Sequence, residues 1–278
     1  MQELGVKRRD VTAEQVREAN RLLYDAVAER YEGLDERRSP HLMAWLRRRL
    51  VDLRGRAPGG RLLDLGAGSG LVARCAQDIF GLRVGLDVSP RILACHREAF
   101  DVAVAADVAA LPFPDASFDA VTAFAVLHHL YAFEGLVAEV RRVLRPGGVF
   151  YSDHDLDACF RQRWRLPLFL YRKVRRAGAK FRKASPAVTH ELYELSEWQE
   201  AGVDSAALVG LFAATGCRAE ASYHWFGLSP WLDKLFGDRP RRRGWAPLLS
   251  LVATMPQERE TPTSAAPPQA RAATNHHK

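Results

Sequence analysis

Asp64 stands two residues ahead of a glycine-rich turn, Gly66-Ala67-Gly68-Ser69-Gly70, and a second carboxylate, Asp87, closes the next apolar run. Glycines carry no Cβ, so the backbone of such a turn can approach a ligand closely. A carboxylate at the end of the following strand is placed to accept hydrogen bonds from ribose hydroxyls. Together they indicate recognition of a nucleoside-bearing ligand. The spacing narrows the choice, because the turn reads G-x-G-x-G and not the G-x-G-x-x-G of a dinucleotide site. A carboxylate beside the turn is a poor neighbour for a pyrophosphate. It suits a ligand that carries an amine and a positive centre.

Three local elements must hold these residues. Arg61 to Leu65 is a short apolar run suited to a buried parallel strand. A helix is expected from about Leu71 to Phe80, with Gly81 as its C-terminal stop. Arg83 to Asp87 then forms the next strand. Strand, glycine turn, helix and strand make a nucleotide-binding half-fold. S-adenosylmethionine has the required ammonium and sulfonium.

The segment resembles motif I of the class I S-adenosylmethionine-dependent methyltransferases, and later blocks strengthen the resemblance. Ala105-Ala106-Asp107 precedes Leu111-Pro112-Phe113-Pro114-Asp115-Ala116-Ser117-Phe118-Asp119. Val126-Leu127-His128-His129-Leu130 and Leu144-Arg145-Pro146-Gly147-Gly148 follow. In order and spacing, over roughly residues 20 to 155, these blocks are similar to the subfamily that includes the ubiquinone and menaquinone biosynthesis methyltransferases. The resemblance implies an α/β, Rossmann-like fold. It would have a seven-stranded, mostly parallel sheet with helices on both faces, a last strand running antiparallel, and an N-terminal helical lid. Strands are expected near 61, 83, 102, 119, 149, 218 and 248.

Carried over residue by residue, the resemblance implies a cofactor site. Asp64 and Gly66 hold the methionine amine, with Ala67 and Gly70 completing the turn. Gly68 leaves room for the ribose, and Asp87, followed by Val88, binds both ribose hydroxyls. Asp107 and the backbone of Val108 meet the adenine amine. Phe124 to His128 borders the methionine end. Asp115 and Asp119 belong to the motif but read better as structural: Pro114-Asp115 favours a turn, and Asp119 opens a strand.

Methyl transfer from a sulfonium is an in-line displacement in which the cofactor supplies the electrophile and the protein supplies orientation. A base is needed only when the nucleophile carries a proton. His128 and His129 are the candidates, because a histidine near neutrality can deprotonate a phenol or an activated carbon. One of them can equally cap the next helix. His154 is a further candidate beside the acceptor. Tyr24 and Tyr31 lie seven residues apart, on one face of the first helix, where they can line the pocket or simply pack. Asp153 and Asp155, alternating on a strand, could converge on a cation, but no other carboxylate pair joins them and no metal is expected.

The chain has 278 residues, 47% of them hydrophobic, ample for one core. The expected organisation is an N-terminal helical lid over 1–59, a methyltransferase domain over 60–255 and a disordered tail over 256–278. The lid should hold two helices, opened by a Thr12/Gln15 capping box and by Ser39-Pro40. Four scattered cysteines and a polar Met1–Asp10 stretch point to a reduced, cytoplasmic protein. The net charge of +7 is local in origin. Ten lysines and arginines and no acid fall between Ala158 and His190, inside an insert at 156–199. Aromatic and aliphatic residues, Trp164 and Phe181 among them, interleave with these charges. A segment of this kind over 161–183 can lie on an anionic membrane surface, bind nucleic acid, or be an ordinary solvated face.

The expected function is methylation of a hydrophobic small molecule at oxygen or carbon, with S-adenosyl-L-methionine as cofactor. An RNA methyltransferase is less favoured, because the fourth strand ends in Phe124-Ala125-Val126-Leu127-His128 and lacks the Asn/Asp-Pro-Pro-Tyr/Phe block. A non-catalytic scaffold is opposed by the intact carboxylates and glycines.

Overall fold

The structure is a computed structural model that describes residues 10–34, 39–168 and 179–257. Seven strands form one sheet: β1 Arg61–Leu65, β2 Leu82–Asp87, β3 Val102–Ala105, β4 Phe118–Phe124, β5 Leu144–Leu156, β6 Arg218–His224 and β7 Leu248–Thr254. Their order is β3-β2-β1-β4-β5-β7-β6. β1 to β5 pair in parallel, and β7 runs antiparallel between β5 and β6. This is the Rossmann-like methyltransferase architecture, and all seven strands fall where the apolar runs place them. The order reverses at β1 and β4, and the carboxyl ends of these strands open the crevice where ligands of such sheets bind.

The alternation of strand side chains builds a core on each face. Leu63, Leu65, Val121, Ala123 and Phe150 pack beneath the helices Glu134–Val143 and Ser205–Ala214. Their neighbours Leu62, Ala120, Val149 and Tyr151 pack on the other face, against Trp45, Leu46 and Leu50 of helix Pro40–Arg56. That helix opens as expected, with Ser39 Oγ accepting the Leu42 N–H at 3.1 Å. Helix Ala13–Val27 opens on the Thr12/Gln15 capping box. The helix after the glycine turn is shorter than expected. It runs from Leu71 to Cys75, and Asp78 sits at a φ of 64° before β2 begins.

Two aromatic residues of the insert have protein partners. Trp164 donates its indole N–H to the Gly244 carbonyl at 3.2 Å. Phe181 packs with Leu23, Val27 and Val188. Both aromatics are therefore spent on protein contacts. Helix His190–Ser196 lies along helix Ala13–Val27, so the insert and the N-terminal helix together cover the crevice. Arg172, Lys173, Arg175 and Arg176, and the tail over 258–278, lie outside the described residues. Among the described residues no helix is long and apolar enough to cross a membrane.

Candidate functional site

β1, β4 and their register set the first carboxylate. Asp64 and Thr122 are partners across the two strands. Thr122 Oγ1 donates to Asp64 Oδ1 at 2.9 Å, while the buried Oδ2 has no partner. Burial pushes the Asp64 carboxyl up to about 7, against the pull of the Thr122 hydrogen bond. The end of β2 sets the second carboxylate. Asp87 Oδ2 accepts the Gly68 N–H at 2.9 Å and Oδ1 accepts the Ser89 N–H at 2.9 Å. Burial pushes Asp87 up to about 6, although both backbone donors lower it. A carboxylate offers about four lone-pair sites, so Asp87 keeps acceptor capacity for ribose hydroxyls. Asp107 turns one oxygen to the Ala109 N–H at 2.9 Å, and the other lies 3.7 Å from Arg17 Nε.

These three carboxylates line one cavity of about 240 Å³. Tyr24, Tyr31, Gly66, Ala67, Gly68, Val88, Val108, Phe124 and His129 line it too. The glycines divide the work. At Gly68, with a φ of 52°, a Cβ would meet nothing closer than 3.5 Å, so its bare side is open to the cavity. Gly70 does not line the cavity. At a φ of 78°, a Cβ there would fall 2.3 Å from the Ala99 methyl. It is a packing glycine that starts the helix, and not a ligand contact.

The two adjacent histidines diverge. His129 Nδ1 lies 2.7 Å from the Ser196 carbonyl and must be the donor, so Nε2 accepts the Tyr24 hydroxyl at 2.8 Å. Burial, then repulsion from His128, lowers His129 to about 4, so it is neutral at pH 7. With both nitrogens engaged, His129 ties helix Ala13–Val27 to the Ser196 carbonyl. Asn20 reinforces it by donating Nδ2 to the His129 carbonyl at 3.2 Å, while its own buried Oδ1 has no partner. His128 leaves the cofactor cavity. Its Nδ1 lies 2.6 Å from Asp155 Oδ1, which also accepts the His128 backbone N–H at 3.0 Å.

Asp153 and Asp155 do not converge. Asp153 pairs with Ser250 and Asp155 with the adjacent Leu249, because β5 bulges between them. One extra residue in the strand puts the two carboxylates on opposite faces of the sheet. The extra residue is His154, at a φ of 68°. On its face, the fully buried Asp153 accepts from Tyr151 Oη at 2.6 Å. It also meets His154 Nδ1 at 2.8 Å and His224 Nε2 at 2.9 Å. Burial raises the Asp153 carboxyl, but attraction to His224 and the imidazole hydrogen bonds outweigh it and hold the group below the usual range. Asp115 pairs with Arg142 at 3.0 Å. Asp119 accepts the Arg61 N–H at 2.9 Å. Both are structural, as expected.

Spacing alone pointed to neither Thr122 nor Asn20. Thr122 becomes visible once β1 and β4 are paired. Asn20 lies on the lid helix one turn before Tyr24, on the same face.

Residues 63–152 match the family described as "Methyltransferase domain". An uncharacterised chloroplastic methyltransferase of Arabidopsis thaliana is 43% identical over 107 residues, 34% of this chain and 30% of that protein. The demethylmenaquinone methyltransferase of Renibacterium salmoninarum is 37% identical over 129 residues, 45% of this chain and 54% of that protein. The chain thus spans from about a third to about half the length of these relatives. Among solved structures, a methyltransferase of Thermotoga maritima, described as a possible histamine N-methyltransferase, aligns with a TM-score of 0.56. It is 16% identical, with 84% of this chain and 97% of that chain covered. Residues 63–152 thus match a methyltransferase-domain family, on a chain whose fold is shared with S-adenosylmethionine-dependent methyltransferases.

Proposed function

We propose that this chain transfers a methyl group from S-adenosylmethionine to oxygen or carbon of a hydrophobic small molecule of quinone, lipid or secondary-metabolite type. One observation carries the cofactor reading. Two buried acceptor oxygens on the cavity wall, Asp64 Oδ2 and Asn20 Oδ1, have no partner. Buried polar atoms are rarely left unpaired, so the cavity calls for a ligand with several donors. With Asp87 and Asp107 close by, an ammonium beside a sulfonium fits, and a pyrophosphate is repelled. The quinone-type acceptor is supported by the likeness to the demethylmenaquinone methyltransferase.

Calorimetry on the purified protein should show binding of S-adenosylmethionine and S-adenosylhomocysteine and none of NAD. NAD binding with silence from both sulfur ligands rejects the reading. Affinity should also depend on pH with a definite sign. The ammonium pairs with ionised carboxylates, so binding should strengthen from about pH 5.5 to about pH 8 as Asp64 and Asp87 ionise. The ligand-free protein runs the other way. Carboxyls raised by burial contribute stability that is present at low pH and lost as pH rises through their folded values. Titrations at three pH values, with thermal melts of the empty protein, check both signs.

The basic insert supports a second, separable role, collection of the apolar acceptor at an anionic membrane surface. Each lysine or arginine near such a surface contributes about 1 kcal/mol, screened as salt shortens the Debye length. Vesicles containing phosphatidylserine should float the protein at low salt, and neutral vesicles should not. Charge reversal at Arg172, Lys173, Arg175 and Arg176 should abolish flotation and spare cofactor affinity. Tight binding in a parallel RNA shift assay would favour the nucleic acid reading.

A further inference from the structure

Helix Pro230–Phe236 is apolar on two sides. Ser229 caps it, with Oγ accepting the Leu232 N–H at 3.4 Å, and Pro230 opens it. Phe236 stacks on Trp225 with ring centroids 4.9 Å apart, and Asp233 Oδ1 accepts the Gly227 N–H at 2.8 Å. These contacts hold the inward side. Residues four apart share a helix face, and the other apolar pair, Trp231 and Leu235, stands 68% and 58% exposed. Leu228 and Trp245 are exposed large apolar residues of the same region. The Trp245 carbonyl accepts the Trp225 indole N–H at 3.0 Å, which ties it to the helix through Trp225. A single exposed apolar side chain is ordinary, but a group of them marks a binding surface.

The rim of this surface is basic. Between Lys234 and Arg243 there are five cations and one acid, Asp238, all of them exposed. The Arg241 N–H donates to the Tyr223 carbonyl at 2.7 Å, which pins the run beside β6, and the Arg241 guanidinium lies 5.9 Å from the Phe236 ring centroid. Arg243 is spent on Asp204 at 3.1 Å. Lys234, Arg239, Arg241 and Arg242 remain on the surface with Trp231 and Leu235. A second copy docking through this patch would set the same arginines against one another. A nucleic acid stacks its bases on rings and gives Leu228 and Leu235 nothing to bury against. An anionic bilayer surface engages both sets, taking tryptophan and leucine at headgroup level and the cations against its charged lipids.

We propose that helix Pro230–Phe236 and the arginine run after it are an interfacial anchor that seats this face of the protein on an anionic bilayer, with Trp231 and Leu235 entering the headgroup layer. The anchor is a different element from the basic insert, and it supplies the apolar contact that Trp164 and Phe181 do not. Its place in the fold connects it to the site. Leu228, 47% exposed, and the exposed Lys180 both line a second cavity of about 280 Å³. Tyr24, Tyr31 and His129 line that cavity and the cofactor cavity alike, and His128 lines the second. Docking by the anchor therefore turns the mouth of the second cavity toward the lipid. Delivery of an acceptor through that mouth rests on the methyltransferase reading above, whereas the docking itself does not.

The test uses the full chain, phosphatidylcholine vesicles with and without phosphatidylserine, and phosphatidylcholine brominated on its acyl chains as a quencher. Wild type should float with the anionic vesicles, and bromine should quench part of its tryptophan emission. Salt separates the anchor from the insert. At about 1 M salt the screening length falls to about 3 Å, so binding by charge alone is lost, while buried apolar area keeps a residual fraction bound and quenched. Trp231→Ser combined with Leu235→Ser should lower the vesicle partition coefficient at least about tenfold and remove the salt-resistant fraction. Its melting temperature and S-adenosylhomocysteine affinity should match wild type, because both side chains are exposed. Trp231→Phe keeps an apolar anchor, so it should float like wild type with less quenching. Undiminished flotation and quenching in the double serine variant overturn the proposal. If charge reversal at Arg172, Lys173, Arg175 and Arg176 abolishes binding that the double variant leaves untouched, the anchor falls and the insert stands. No flotation of wild type overturns both, and so does capture of RNA in place of vesicles. Failure to bind S-adenosylhomocysteine rejects the cofactor reading instead and leaves the anchor in place.

Discussion

Asp87→Ala is expected to weaken S-adenosylmethionine binding roughly a hundredfold. The carboxylate would accept two ribose hydroxyls, and a hydrogen bond to a charged group contributes about 1.5–3 kcal/mol. Two such bonds exceed two decades in affinity at about 1.4 kcal/mol per decade. The same carboxylate anchors the Gly68 and Ser89 N–H groups, so the variant also loosens the turn. Asp87→Asn is intermediate, since its single amide oxygen can accept one of these backbone N–H groups while its NH2 faces the other donor. Calorimetry should therefore rank wild type above Asn and Asn above Ala. Equal affinity in all three would place the ribose elsewhere.

Asp153→Ala is expected to cost about 3–5 kcal/mol of stability, the usual loss when one partner of a buried charged cluster is removed. The residue is fully buried and serves His154, His224 and the Tyr151 hydroxyl at once. His224 Nδ1 already lacks a partner, so Ala would leave that ring with no hydrogen bond at either nitrogen. The pH dependence has the opposite sign to that of Asp64. A depressed carboxyl contributes stability that is complete above its unfolded value, near 4, and lost as pH falls through its folded value. Urea melts at pH 7 and pH 2 should show the gap between wild type and variant narrowing at the lower pH. A variant as stable as wild type at pH 7 would mean the cluster contributes nothing.

The strands and the candidate cofactor residues that share one cavity were the most legible parts of the chain. Runs such as Leu62–Leu65 and Ala120–Ala123 are buried on both faces and admit little but a parallel strand. Asp64, Gly68, Asp87 and Asp107 are tied to strand ends and meet once the strands are ordered. Three features were not legible. Nothing in Ser152-Asp153-His154-Asp155 announces a bulge, and strict alternation gave the wrong face for one carboxylate. His128 and His129 sit together in a single 3₁₀ turn, so adjacency could not say which ring faces which cavity. Counting basic residues located the insert, yet composition cannot show that Trp164 and Phe181 already have protein partners.

The bulge also bears on how this chain can be aligned and edited. A deletion inside a strand ordinarily turns every later side chain over, because the period is two. Removing His154 would not, since Asp153 already pairs with Ser250 and Asp155 with Leu249, its neighbour. The strand therefore contains one position where length can change while Asp155 stays beneath His128 and Asp157 stays on Ser205. A comparison that counts residues from Gly148 forward without a gap at this point would equate inward and outward positions for the rest of β5. The gap belongs at 154, in the middle of the sheet and not in a loop.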